Sequence, residues 1–101
     1  MFEINWKPLS KVTLLDEIDF IIRKWNLYEA DKFVNLVYNY LETISKTPTI
    51  GIYNKSNKIY SLVISKQTTL FYKIIEEKKQ IDLLFFWNNS QNPKSLDKLL
   101  V

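Results

Sequence analysis

A run of seven residues with a single charge, Ile81-Asp-Leu-Leu-Phe-Phe-Trp87, leads straight into the polar cluster Asn88-Asn-Ser-Gln-Asn92 and then Pro93. Such a run reads as a strand buried on both faces. The polar cluster ends it with turn chemistry, and proline stops further pairing because it has no N–H to give a ladder. Upstream lies a second apolar run, Leu70-Phe-Tyr72-Lys-Ile-Ile75, joined to the first through the charged turn Glu76-Glu-Lys-Lys79. The resulting hairpin is more apolar than a short chain needs if only its own helices cover it. That excess points to a partner.

With 101 residues, 1–101 is expected to be a single domain, and 47% hydrophobic residues suffice for one core. There is no cysteine and no histidine. Disulfides, thiolate metal sites and imidazole catalysis are therefore excluded, and neither a metal nor a cofactor is expected. The start, Met-Phe-Glu-Ile-Asn-Trp-Lys-Pro, lacks the basic segment and apolar stretch of a signal peptide, and no apolar run suits a bilayer span. A cytoplasmic protein that does not enter a membrane is the expectation. The net charge of +3 is concentrated in residues 55–79, where six lysines face two glutamates. That region suits nucleic acid, an acidic protein tail or plain solvation.

Phe2 to Trp6 alternates apolar and polar residues and predicts a half-buried strand. Pro8 opens a helix expected to reach about Trp25, with Leu9, Val12, Leu15, Ile18, Ile22 and Trp25 as its buried stripe. Asn26 and Glu29 form a capping box for a second helix over Leu27 to about Lys46. Ala30, Phe33, Val37, Tyr40, Leu41 and Ile44 mark its inner face, and the short connection makes the two helices an antiparallel hairpin. Thr47 to Lys58, with Pro48 and the sole glycine Gly51, reads as irregular. Strands follow over Ile59–Ser65, Thr68–Ile75 and Ile81–Trp87, and the leucine-bearing tail after Pro93 is short and helical or irregular. The order β-α-α-β-β-β places a helical hairpin on one face of a mainly antiparallel sheet, which is an α+β fold.

Two helices shield one face only, yet the strands are apolar on both. Tyr60, Leu62, Ile64, Leu70, Tyr72, Phe85 and Trp87 are the candidate partner-binding residues of the uncovered face. The C-terminal leucines folding back, or a homodimer, are the competing ways to cover it.

The order Pro48, Gly51, a strand, Lys66-x-x-x-Leu70-Phe-Tyr72-Lys-Ile and Leu-Phe-Phe-Trp-Asn-Asn-Ser-Gln-Asn-Pro-Lys-x-Leu resembles the RelE/ParE toxins of bacterial type II toxin–antitoxin modules. The resemblance spans nearly the whole chain. It rests on element order, length and the closing Asn-x-x-Asn-Pro-Lys-x-Leu rather than on a catalytic signature. It implies a plasmid-stabilisation or addiction toxin neutralised by a cognate antitoxin, laid as an amphipathic or extended segment across the apolar sheet face. RelE-type members cleave messenger RNA on the ribosome with basic side chains of the open sheet face and a tyrosine near the C-terminus. Where the resemblance places those cations, this chain has Tyr60, Leu62, Thr69 and Asn89 or Ser90, and no tyrosine follows Trp87. ParE-type members bind DNA gyrase, which needs a surface rather than a nucleophile. The resemblance is thus ParE-like more than RelE-like, and a gyrase inhibitor that is not an enzyme is the leading expectation. The alternatives are an mRNA endonuclease using Lys58, Lys66, Lys73 and Tyr72, and a non-toxic interaction module. Tyr72 reads equally as a core aromatic with its hydroxyl at the rim, the lysines as solvated, and Asn88, Asn89 and Asn92 as turn formers.

Overall fold

In the computed structural model, which describes residues 1–100, five strands and three helices follow the order β1 (Glu3–Trp6), α1 (Pro8–Lys24), α2 (Leu27–Lys46), β2 (Ile52–Asn54), β3 (Ile59–Ser65), β4 (Thr68–Ile75), β5 (Gln80–Asn88) and α3 (Pro93–Leu99). The sheet order is β1-β5-β4-β3-β2. β1 runs parallel to β5, with Ile4 beside Ile81 and Trp6 beside Leu83, and every other pairing is antiparallel. The helical hairpin carries the chain from β1 at one edge of the sheet to β2 at the other, and the antiparallel meander from β2 to β5 returns it alongside β1, since parallel neighbours cannot be joined by a tight turn.

The helix starts follow the signals expected of them. Pro8 occupies the first turn of α1, and the Asn26 side chain accepts the Glu29 backbone N–H at 2.9 Å to cap α2. α2 buries Ala30, Phe33, Val37, Leu41 and Ile44, with Tyr40 partly buried beside them. Asn92 caps α3 by accepting from the Lys94 N–H at 3.0 Å. Two features went beyond the expected elements. Residues 52–54 form a short edge strand rather than irregular chain, and Leu84 is an extra residue in β5 that makes a bulge opposite Phe71 and Tyr72. The bulge resets the alternation. Leu83 and Phe86 join the helix-side core, while Leu84, Phe85 and Trp87 belong to the second face.

That second face is where the largest correction falls. Tyr60, Leu62, Ile64, Leu70 and Tyr72 point towards the helices and pack with α2, not towards an open surface. Leu70 and Tyr72 are completely buried. Only Phe85 and Trp87 of the expected partner-binding set lie on the opposite side, in a cluster with Ile59 and Phe71. Leu96 and Leu100 cover that cluster, and the Asn57 side-chain amide donates to the Leu100 carbonyl at 3.3 Å. Of the ways to shield the face, the chain uses its own C-terminal leucines.

Segment 48–51 is fixed by Tyr72, whose hydroxyl donates to the Pro48 carbonyl at 2.7 Å and accepts from the Gly51 N–H at 3.1 Å. A Cβ on Gly51 would sit 2.8 Å from both the Ser61 carbonyl oxygen and the Tyr72 hydroxyl. Glycine is required here by close approach rather than by an unusual φ. Gly51→Ala is expected to cost about 1–3 kcal/mol by forcing this segment away from β3, read as a lowered denaturant midpoint.

Candidate functional site

The inward face of α1 is mixed rather than the expected apolar stripe. Ser10, Glu17 and Ile21 are buried and Thr13, Leu14, Ile18 and Phe20 partly so, whereas Leu9, Val12, Leu15, Ile22 and Trp25 of the expected stripe are exposed. The reason lies in β5. β1 ends at Trp6, and from there on the β5 edge has no strand beside it. α1 supplies what the missing strand would have given. The Thr13 hydroxyl accepts the Phe86 backbone N–H at 2.8 Å, and Glu17 accepts from the Asn88 side-chain amide at 3.1 Å and the Thr68 hydroxyl at 2.5 Å. Buried donors must find partners, so α1 turns Ser10, Thr13 and Glu17 inward together with Leu14, Ile18 and Ile21. Leu9, Val12 and Leu15 are left facing out.

Exposed aliphatic side chains scattered singly need no explanation, but a contiguous patch does. Val12 is 53% and Leu15 65% exposed. Leu15 borders a groove of about 330 Å³ between α1, β1 and α2, lined by Trp6, Lys11, Leu14, Leu15 and Tyr38. A neighbouring hollow, of about 330 Å³ as well, shares Trp6 and Tyr38 and continues past Ile4 and Leu41 to Met1. Among the described residues, the ion pairs are Arg23–Asp19, Lys32–Glu29 and Lys46–Glu42, so Lys11 in the groove wall is unpaired, whereas the charge of Lys7 acts on Asp82. A roomier cleft of about 610 Å³ lies between the hairpin tip and the β3–β4 turn, but its only charges, Glu29 and Lys32, are tied to each other. The α1–β1–α2 groove is therefore the better candidate for binding an apolar surface edged with acidic groups.

Chemistry on the second sheet face has little to work with. Tyr72 is inside the core, and burial pushes its hydroxyl up from the usual tyrosine value, against the lowering effect of the Gly51 N–H. It stays protonated and out of reach. Lys58 and Lys66 are exposed at opposite ends of β3, which at ordinary strand rise puts them about 26 Å apart. Lys58 has a φ of 61°, set by the turn whose Asn54 carbonyl accepts its N–H. Lys73 belongs to the second face, directly across from Asp82 on β5, and borders a hollow with Asn57, Ile59, Asp97 and Leu100. The four catalytic candidates are not brought together. No group of three or more metal-ligating side chains occurs among the described residues, and no described helix is long and apolar enough to cross a membrane.

Glu17 went unnoticed in the sequence, where it is one of several acidic residues on a helix. It is only 5% exposed, and its carboxyl is raised above the ordinary glutamate value, first by burial, then by Asp16, against lowering hydrogen bonds from Thr68 and Asn88. A raised folded-state value means the folded protein holds this proton more tightly than the unfolded chain. The associated stability is complete below the unfolded glutamate value and is lost as pH rises through the folded one. Stability of the wild type should fall across that window relative to Glu17→Gln, as measured by urea midpoints at a series of pH values.

No protein-family model matches the sequence, and no curated protein sequence matches it either. Solved structures do match. A chain of the chromosomal ParDE TA system from P. aeruginosa superposes with a TM-score of 0.71 at 13% identity, over 87% of this chain and 96% of that one. The intact E. coli RelBE toxin–antitoxin complex gives 0.59 at 15% identity, over 90% of this chain and 100% of the matched one. The isolated E. coli RelE toxin gives 0.60 at 14% identity, over 99% and 100%. With the parallel β1–β5 pair, the helical hairpin and the antiparallel meander all accounted for over most of its length, this chain has the RelE/ParE toxin fold.

Proposed function

We propose that this chain is the toxin of a type II toxin–antitoxin pair, that it stops growth by binding DNA gyrase rather than by cutting messenger RNA, and that a cognate antitoxin neutralises it in the cytoplasm. The observation that carries the reading is the whole-length likeness in fold to chains from a ParDE TA system and a RelBE toxin–antitoxin complex. Fold alone does not specify activity, so the target is argued from the site. Cleaving a phosphodiester needs positioned acids, bases and cations around the scissile phosphate. On the second sheet face Lys73 lies directly opposite the carboxylate-bearing Asp82, and Tyr72 is sealed in the core. That favours inhibition by binding. The neutralising partner is assigned to the outer face of α1 and the groove beside Trp6, where apolar side chains are exposed and Lys11 has no ion-pair partner.

Purified protein added to gyrase and supercoiled plasmid should produce protein-linked, cleaved DNA, and translated messages in induced cells should remain uncut. Codon-specific message cleavage without gyrase-linked DNA breaks would replace the binding mechanism by the nuclease one.

A further inference from the structure

One buried cluster takes no part in the proposed docking or target binding. The Glu17 carboxylate receives the Thr68 hydroxyl on one oxygen and the Asn88 side-chain N–H on the other. Asn88 spends its remaining side-chain oxygen on Ser90, accepting both the backbone N–H at 3.0 Å and the hydroxyl at 2.6 Å. The Asn88 carbonyl in turn accepts the Gln91 N–H at 3.0 Å. Glu17 thereby reaches, through a single amide, the turn that launches α3, the helix whose Leu96 lies over Phe85 and Trp87.

The orientation of that amide depends on a proton. A carboxylate only accepts, so it holds the NH₂ end of Asn88 towards itself and the oxygen end towards Ser90. A protonated carboxyl has an O–H to donate, and its best acceptor is the Asn88 oxygen. Rotating the amide by half a turn satisfies that O–H and offers NH₂ to the Ser90 hydroxyl. It leaves the Ser90 backbone N–H without a protein partner. We propose that Glu17 and Asn88 form a proton-operated amide switch that sets how firmly the 88–92 turn, and α3 beyond it, is held against the sheet.

The surroundings make such a switch workable. Thr68 and Asn88 are direct neighbours across β4 and β5, both buried, and both neutral. Asp16, on the same helix, is the charged group that acts on Glu17, and it favours protonation. No lysine or arginine among the described residues pairs with Glu17. Lys66 in the adjoining turn is exposed, and it joins the neighbouring network only through its carbonyl, which accepts from Asn89 at 3.3 Å. Asn89 also accepts from Thr69 at 2.9 Å and binds the Gln67 carbonyl through its N–H at 2.7 Å, so the strand end stays fixed while Ser90 is released. Global stability and local order then respond oppositely. Protonation favours the fold as a whole while loosening the cover over Trp87.

NMR of the full chain between about pH 4 and pH 8 tests this, spanning the carboxylate range and the region above it. The Glu17 side-chain carboxyl carbon, the Ser90 amide and the Trp87 indole N–H should titrate with one midpoint, above the ordinary glutamate value. Protection of the Ser90 amide, its exchange rate referred to the intrinsic rate at the same pH, should be about twofold to tenfold lower on the acid side, as expected from losing one neutral hydrogen bond. In Glu17→Gln the Ser90 and Trp87 shifts should be flat with pH. Separate midpoints for Glu17 and Ser90 in the wild type would overturn the switch without requiring any variant to fold. So would a transition that persists in Glu17→Gln.

Discussion

Tyr72→Ala should destabilise the fold by about 3–5 kcal/mol, among the largest losses open to a single side chain here. Tyr72 is the largest fully buried residue. Its ring stacks on Tyr60 at 5.3 Å, and Tyr60 packs against Tyr53 at 4.8 Å, so the three rings tie β4, β3 and the edge strand β2 together. Truncation empties the centre of that stack and strands the Pro48 carbonyl and Gly51 N–H, both paired only through the lost hydroxyl. Tyr72→Phe isolates the second part of the effect and should cost about 1–3 kcal/mol. Denaturant unfolding separates the two. If instead Tyr72→Phe left stability unchanged and removed toxicity, Tyr72 would be a reacting residue and its structural assignment would be wrong.

The second large effect concerns the partner and leaves the fold almost untouched. Val12→Glu with Leu15→Glu should weaken antitoxin binding by at least about a hundredfold, since a well-packed apolar anchor contributes about 2 kcal/mol or more and a buried unpaired charge adds repulsion. Stability should change by less than about 1 kcal/mol, because both side chains are exposed and glutamate is a good helix former. The penalties are like-charge pairs of position 12 with Asp16, of position 15 with Asp19 and of the two glutamates with each other, about 0.2–0.5 kcal/mol each, partly offset by Lys11 one turn before position 15. Calorimetric titration with the product of any small acidic reading frame found to adjoin this gene gives the affinity. Retained affinity would move the docking surface away from α1.

Sequence periodicity located the elements well because their ends carry local chemistry. Pro8, the Asn26 cap and Pro93 each act on the residues next to them, and α2 begins and ends where its signals place it. What was not legible depended on distant partners. The stripe Leu9, Val12, Leu15 is apolar, but burying it in place of the face that holds Leu14 and Ile21 would leave the Phe86 N–H and the Asn88 side chain without Thr13 and Glu17 as acceptors. A need created by β5 therefore decides which way α1 faces, and nothing within residues 8–25 records it. β2 escaped notice because three residues beside Gly51 and Asn54 look like a turn until β3 pairs with them.

The candidate site divides in the same way. Alternation correctly separated Tyr60, Leu62 and Ile64 from Ile59 and Val63, but it carries no sign saying which set meets the helices. The extra residue Leu84 then put Phe85 and Trp87 on the face opposite to Leu70 and Tyr72. A single surface was expected from residues that in fact line both sides of the sheet. Once α3 closes over Phe71, Phe85 and Trp87, exposed apolar side chains remain on the helices, Leu15 among them, and on the far sheet edge at Ile52, Tyr53 and Val63.

Growth of a bacterial host after inducing this chain alone, and again together with its neighbouring acidic gene product, is the most direct test of the toxin account. Arrest by the chain, relieved by the neighbour for the wild type but not for Val12→Glu with Leu15→Glu, is the expected result. Undisturbed growth at full accumulation of folded protein would contradict it.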